Sequence, residues 1–140
     1  MKCRMMIGAA LLGASAICFA AADGSWLKKV PEADRVRANP YAGQPDAVAA
    51  GRNLYRNNCA KCHGANAEGK HSRPALVSAR MAGASDGEIA WIIKNGQSFK
   101  GMPSWGGLPE QMRWQLVAYL RSLNPPANGV ATTPGNGAQK

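Results

Sequence analysis

Cysteine is scarce: of 140 residues only four are cysteine, at positions 3, 18, 59 and 62. The first two fall in the start MKCRMMIGAALLGASAICFAAADG, where Lys2 and Arg4 precede an apolar run and Ala20-Ala21-Ala22 supplies an A-x-A pattern. That is the build of a secretory signal, with cleavage expected after Ala22 and a periplasmic mature protein. An exported chain left with two cysteines has no disulfide framework. Acidic residues are also few, 8 against 17 Lys+Arg. The excess suits solubility or attraction to an acidic partner or anionic surface. Because the basic residues are scattered and the chain is exported, nucleic acid is excluded as a partner. No strand-like alternation is visible, so the expected class is all-α.

The leader has two rival readings. Residues 5–22 are uncharged, approaching the length of a membrane span, so an uncleaved segment would anchor the protein. The run is rich in Ala and Gly, which suits a signal better than a span. Lipid attachment at Cys18 is disfavoured by bulky Ile17, where lipoprotein signals place a small residue.

Beyond the leader, residues 23–45 contain three prolines and little periodicity, and are expected to form an extended N-terminal arm with a short helical turn after Pro31. Residues 124–140, rich in Pro and Gly and poor in core formers, are expected to be a disordered tail. Between them, residues 46–123 carry three helical patterns. The first spans Asp46 to Cys62 after Pro45, with Val48, Gly51, Tyr55, Cys59 and Cys62 on one stripe. The second spans Asp86 to Lys94. It opens on a Ser85-x-x-Glu88 capping box, stops at Asn95-Gly96 and buries Ile89, Ile92 and Ile93. The third spans Pro109 to Leu123, with Met112, Leu116, Tyr119, Leu120 and Leu123 on one face. Three short helices bury too little apolar surface to hold the long loops 64–84 and 97–108 in place. The core lacks a piece.

The chemistry concentrates in Cys59-Ala60-Lys61-Cys62-His63. Structural zinc needs four ligands, usually in two pairs, and the second pair is missing. A redox dithiol normally opens a helix after a strand, whereas these cysteines close one, where the helix dipole disfavours a thiolate. Haem attachment uses Cys-x-x-Cys-His as its signature. Two thiols three apart span the two vinyl groups as thioethers, and the adjacent histidine can reach the iron. A haem would also supply the missing apolar core, and a covalent bond would prevent its loss from an exported protein.

Residues 46–123 resemble a class I c-type cytochrome. In that family a glycine and an aromatic precede the motif, and the last helix brings a leucine and an aromatic across that glycine. Gly51 and Tyr55, then Leu116 and Tyr119, stand in those places. The resemblance implies a small all-α fold of three or more helices around one covalent haem c, attached through Cys59 and Cys62 with His63 as one iron ligand. It further implies that the Pro74 carbonyl accepts from the free ring nitrogen of His63 and that Leu76 packs at the haem. Met102, in KGMPSWGG, matches the family's ligand-bearing segment and is expected as the second axial ligand. Met81 is close in sequence to His63, and Met112 is expected in the core; His71 is expected to be solvated. Trp105 is a candidate to cover the haem or bond a propionate, while Trp91 and Trp114 are expected to pack.

The function implied is one-electron transfer rather than catalysis, by a periplasmic carrier with acidic docking partners. Lys61, Arg56, Lys70 and Lys100 are candidate neighbours of the haem edge. The alternative is a haem subunit docked on a larger dehydrogenase or oxidase, with the arm as a strap. Less favoured is a catalytic or gas-binding haem, for which Met102 would have to leave the iron.

Overall fold

The helical pattern that begins at Pro45 forms α2, Pro45–Asn58, with the proline in its first turn as its fixed φ favours. The computed structural model describes residues 24–125. The leader with its Ala22 cleavage site, and all of the expected tail beyond residue 125, lie outside the described residues. Two short elements precede α2: a 3-10 turn, Ser25–Lys29, and α1, Glu32–Arg35. After it come α3, Ala60–His63, then α4, Ala79–Gly83, and α5, Asp86–Asn95. A second 3-10 turn, Ser98–Lys100, and α6, Glu110–Leu123, complete the order. Among the described residues there is no strand, only the isolated bridges Lys70↔Arg73 and Gln97↔Met102. No helix among them is long and apolar enough to cross a membrane.

The helix expected to run from Asp46 to Cys62 is broken at Cys59, whose φ of −115° closes α2 and starts α3. α5 begins as its capping box dictates: Ser85 Oγ accepts from Glu88 N–H, and the Glu88 carboxylate accepts from Ser85 N–H. The short helix α4 was not anticipated. Its start is fixed by Ser78, whose hydroxyl accepts from Met81 N–H.

The frame is the packing of α2 against α6. A Cβ built on Gly51 would lie 1.9 Å from the Gln115 carbonyl oxygen and 2.9 Å from Tyr119 Cβ. Hydrogen is the only side chain this crossing admits. Tyr55, wholly buried, packs against Tyr119 at 5.3 Å between ring centres, with the rings tilted by 51°. Burial holds the Tyr55 hydroxyl far above its ordinary pKa, so it stays protonated and donates to the Gly64 carbonyl at 2.7 Å. Leu116, Val117 and Leu120 fill the inner face of α6. Met112 departs from the expected core role and is 39% exposed, because it lies one turn before the crossing at Gln115–Tyr119.

The arm is more structured than its sequence suggests, and it is packed down. The α1 backbone lies so close to α5 that a Cβ on Gly87 would meet the Asp34 carbonyl oxygen at 1.8 Å. Ser85 Oγ donates to the Arg35 carbonyl at 2.7 Å, and Arg35 pairs with the buried Glu88 carboxylate. Buried Asn39 donates to the Trp114 carbonyl at 3.0 Å, and Trp26 and Val30 enter the core. Asn124, at the start of the expected tail, is also buried. It accepts from Ser78 N–H and donates to the Leu76 and Leu120 carbonyls, tying the central loop to the end of α6.

Replacing Gly51 by Ala drives a methyl group into a backbone carbonyl that cannot yield, and should destabilise the protein by about 3 kcal/mol or more. Gly83→Ala, with nothing within 4 Å of the added carbon, should be neutral or slightly stabilising. Urea unfolding of both variants checks the contrast.

Candidate functional site

The end of α2 delivers the motif to the interior. Cys59 N–H donates to the Tyr55 carbonyl at 2.8 Å, so the residue is fixed to the helix. The next turn is closed by bonds from Cys62 and His63 N–H to the Cys59 carbonyl, at 3.0 and 2.9 Å. Both sulfurs and the imidazole therefore belong to one rigid turn. Gly64 follows with φ +86°, a backbone conformation that favours glycine, and reverses the chain.

The loop from His63 to Ser78 is held by its own backbone. Gly69 N–H donates to the His63 carbonyl at 2.8 Å, and Leu76 N–H to the Ala67 carbonyl at 2.8 Å. This brings the Pro74 carbonyl oxygen within 2.9 Å of His63 Nδ1. A carbonyl can only accept, so Nδ1 donates to it and Nε2 is the ring nitrogen left for a metal. The imidazole is thus oriented as a ligand through a second contact.

The residues singled out in the sequence line one cavity of about 420 Å³: Cys59, Cys62, His63, Pro74, Leu76, Met102 and Trp105. That volume is in the range of cofactor pockets. Ile89, Ile92, Ile93, Leu116 and Leu120 give it apolar walls. Met102 is held opposite the helices by paired backbone bonds with Gln97, at 2.9 and 3.1 Å, while Trp105 N–H donates to the Ile93 carbonyl at 3.0 Å. Arg73 Nη1 donates to the Lys100 carbonyl at 2.6 Å, joining the loop after His63 to the loop that carries Met102.

The cavity has further lining residues, some of which escaped the sequence reading. Trp26 reaches the cavity from the arm, and a tryptophan in an otherwise aperiodic segment was the one signal for it. Met81 lines the cavity too, though it is buried in α4 and offers a second thioether. Arg73, Arg80 and Lys100 line it, whereas no Asp or Glu does. Of the four cations expected near the edge Lys100 lines the cavity, and Arg56, Lys61 and Lys70 are exposed. His71 is exposed.

The chemistry of the donor set discriminates among ligands. Among the described residues no group of three His, Cys, Asp or Glu side chains is placed to hold a metal ion, so the set does not fit structural zinc. Burial, with Cys62 adding to it, pushes the Cys59 thiol up to about 11, so it stays protonated at neutral pH and does not suit a reactive dithiol. An apolar cavity with two thiols at its edge, a histidine nitrogen and thioethers in its walls, and three cations without a carboxylate fits haem. That group is flat and apolar, bears two carboxylates, and has vinyl groups to which thiols add.

Known proteins agree with this fit. Residues 46–120 match the family described as cytochrome c oxidase, cbb3-type, subunit III. The chain is 34% identical over 102 residues to the cbb3-type cytochrome c oxidase subunit CcoP of Rubrivivax gelatinosus, covering 70% of this chain and 33% of that protein. It therefore spans about a third of that relative's length. Cytochrome c-554(547) of Halothiobacillus neapolitanus is 33% identical over 87 residues, 54% of this chain and 96% of the relative. Cytochrome c55X of Paracoccus denitrificans is 34% identical over 83 residues, 56% of this chain and 79% of its own. Among solved structures, cytochrome cL of Methylophaga aminisulfidivorans superposes with a TM-score of 0.55 at 28% identity, covering 62% of this chain and 59% of that one. The chain thus belongs to the class I c-type cytochromes, as a single-haem electron-transfer domain with covalently bound haem c.

Proposed function

We propose that the protein is a periplasmic one-electron carrier in which Cys59 and Cys62 would hold the haem as thioethers and His63 and Met102 would bind its iron. One observation carries the reading: these four side chains line a single apolar cavity, with His63 Nδ1 tied to the Pro74 carbonyl at 2.9 Å. When bound, haem iron supplies a reversible one-electron change.

The residues around it have distinct tasks. His63 would offer Nε2 to the iron because its Nδ1 is engaged by the Pro74 carbonyl. Met102 would contribute a soft thioether, which favours ferrous iron and raises the potential. With both residues bound to the iron no coordination position would remain for a substrate, which suits electron transfer rather than catalysis. Ile89, Ile92, Leu116 and Leu120 keep water from the interior. The paired bonds of Gln97 with Met102, and the turn that carries His63, hold both ligands against rearrangement when the electron moves. The redox partners are expected to be proteins with acidic docking surfaces, drawn to the exposed Lys61, Arg56 and Lys70. Residues 1–22 would direct export and be removed after Ala22.

A second reading has its own support. Two relatives are named as cbb3-type oxidase subunits, CcoP and FixP, and this chain spans 33% and 34% of them. In that reading the domain is a haem-bearing subunit of a larger complex, and reaches the membrane through it. The native size of the protein in its own periplasmic extract separates the two: a carrier elutes as a monomer, a subunit with its complex.

The ferrous spectrum of the holoprotein should be of c type and unchanged by carbon monoxide. Met102→Ala should open the iron to the gas, whereas Met81→Leu should not. Prompt gas binding by the unaltered protein, or opening by Met81→Leu alone, would overturn the assignment of Met102.

A further inference from the structure

Gln97 stands where the chain leaves α5 for the loop that carries Met102. Its Nε2 is buried and has no hydrogen-bond partner, and no other buried side-chain nitrogen or oxygen among the described residues is left so. Gln97 also lines the central cavity. An unmet buried donor is costly, which calls for an acceptor inside that cavity.

Its surroundings indicate the acceptor's charge. Lys100 N–H donates to the Gln97 carbonyl at 2.9 Å, so the two residues share one turn. Arg73 Nη1 reaches the same turn at the Lys100 carbonyl, 2.6 Å away. An amide donor and a guanidinium, with Lys100 in the same turn, therefore belong to one part of a cavity that no Asp or Glu lines. Of the groups a haem would bring, its carboxylates are the strong acceptors. The Met102 sulfur is a weak one.

We propose that Gln97 Nε2 donates to a haem propionate, with Lys100 and Arg73 beside it, and so acts as a positioning residue for the redox site. This rests on the haem reading above and adds a role for a residue outside the attachment motif and the iron ligands. Because the Gln97 backbone also pairs with Met102, a single turn holds one propionate and one iron ligand together. The amide offsets carboxylate charge that would otherwise stabilise ferric iron, and so keeps the potential high.

The test uses the holoprotein in its ferrous, diamagnetic state with nitrogen-15 labelling. The Gln97 side-chain amide protons should exchange slowly and show cross-peaks to the propionate methylenes. Gln97→Leu should keep the c-type spectrum and its indifference to carbon monoxide. It should also move the equilibrium with a redox mediator toward the ferric form by about tenfold, or about 59 mV for one electron. Cross-peaks to the Met102 methyl or to water alone, fast exchange, or an unchanged potential in Gln97→Leu would overturn the proposal while leaving the haem reading intact. A wild-type protein without a c-type spectrum would overturn both.

Discussion

The backbone contact between α2 and α6 at Gly51 is the constraint from which the rest of the molecule follows. With the Gln115 carbonyl oxygen 1.9 Å from where a Cβ would stand, the two helices cross at a separation no other residue permits. α2 then ends with Cys59 at the edge of the cavity, and α6 places Leu116 and Leu120 in its walls. Tyr55, between these features, is buried against Tyr119 and bonded to the Gly64 carbonyl, so the crossing and the motif turn are joined by one side chain. A shift of α6 along α2 would move the walls of the cavity relative to its sulfurs.

The cavity explains why so small a domain needs a covalent cofactor. Its walls are the inner faces of α5 and α6, the loops that carry Pro74 and Met102, and Trp26 from the arm. A bound haem would give all of them a common partner, and the proposed attachment at Cys59 and Cys62 would remove the loss of that partner as a route to unfolding. The loops are nevertheless not left to the haem alone. Asn124, Arg73 and the Gln97–Met102 bridge tie them to the helices and to each other.

Legibility in the sequence followed the range of the interactions. The cores of α2, α5 and α6 and the capping box at Ser85 rest on local periodicity or on a short motif, and could be read. So could the residues of the motif and the Met102 segment, through their resemblance to a family; the close-packed glycine at position 51 was expected only through that resemblance. The break at Cys59 could not, since the helical stripe runs through it unaltered. Nor could the packing of the arm, which depends on Gly87, Glu88 and Trp114, more than fifty residues further along the chain. Arg73, Arg80 and Gln97 looked like loop polars, and only the fold shows that they line the cavity. Met112 misled for the opposite reason: its helical phase is right, but it lies beyond the end of the packed surface.

The central claim is that the cavity is completed by one haem bound covalently at Cys59 and Cys62. The most direct measurement is the intact mass of the protein matured in a periplasm with haem-attachment machinery, taken under denaturing conditions and followed by proteolysis. The account predicts the mass of the chain plus one haem, with the haem retained on the peptide that contains both cysteines. A chain that enters the spectrometer without haem, or that carries it on any other peptide, would contradict it.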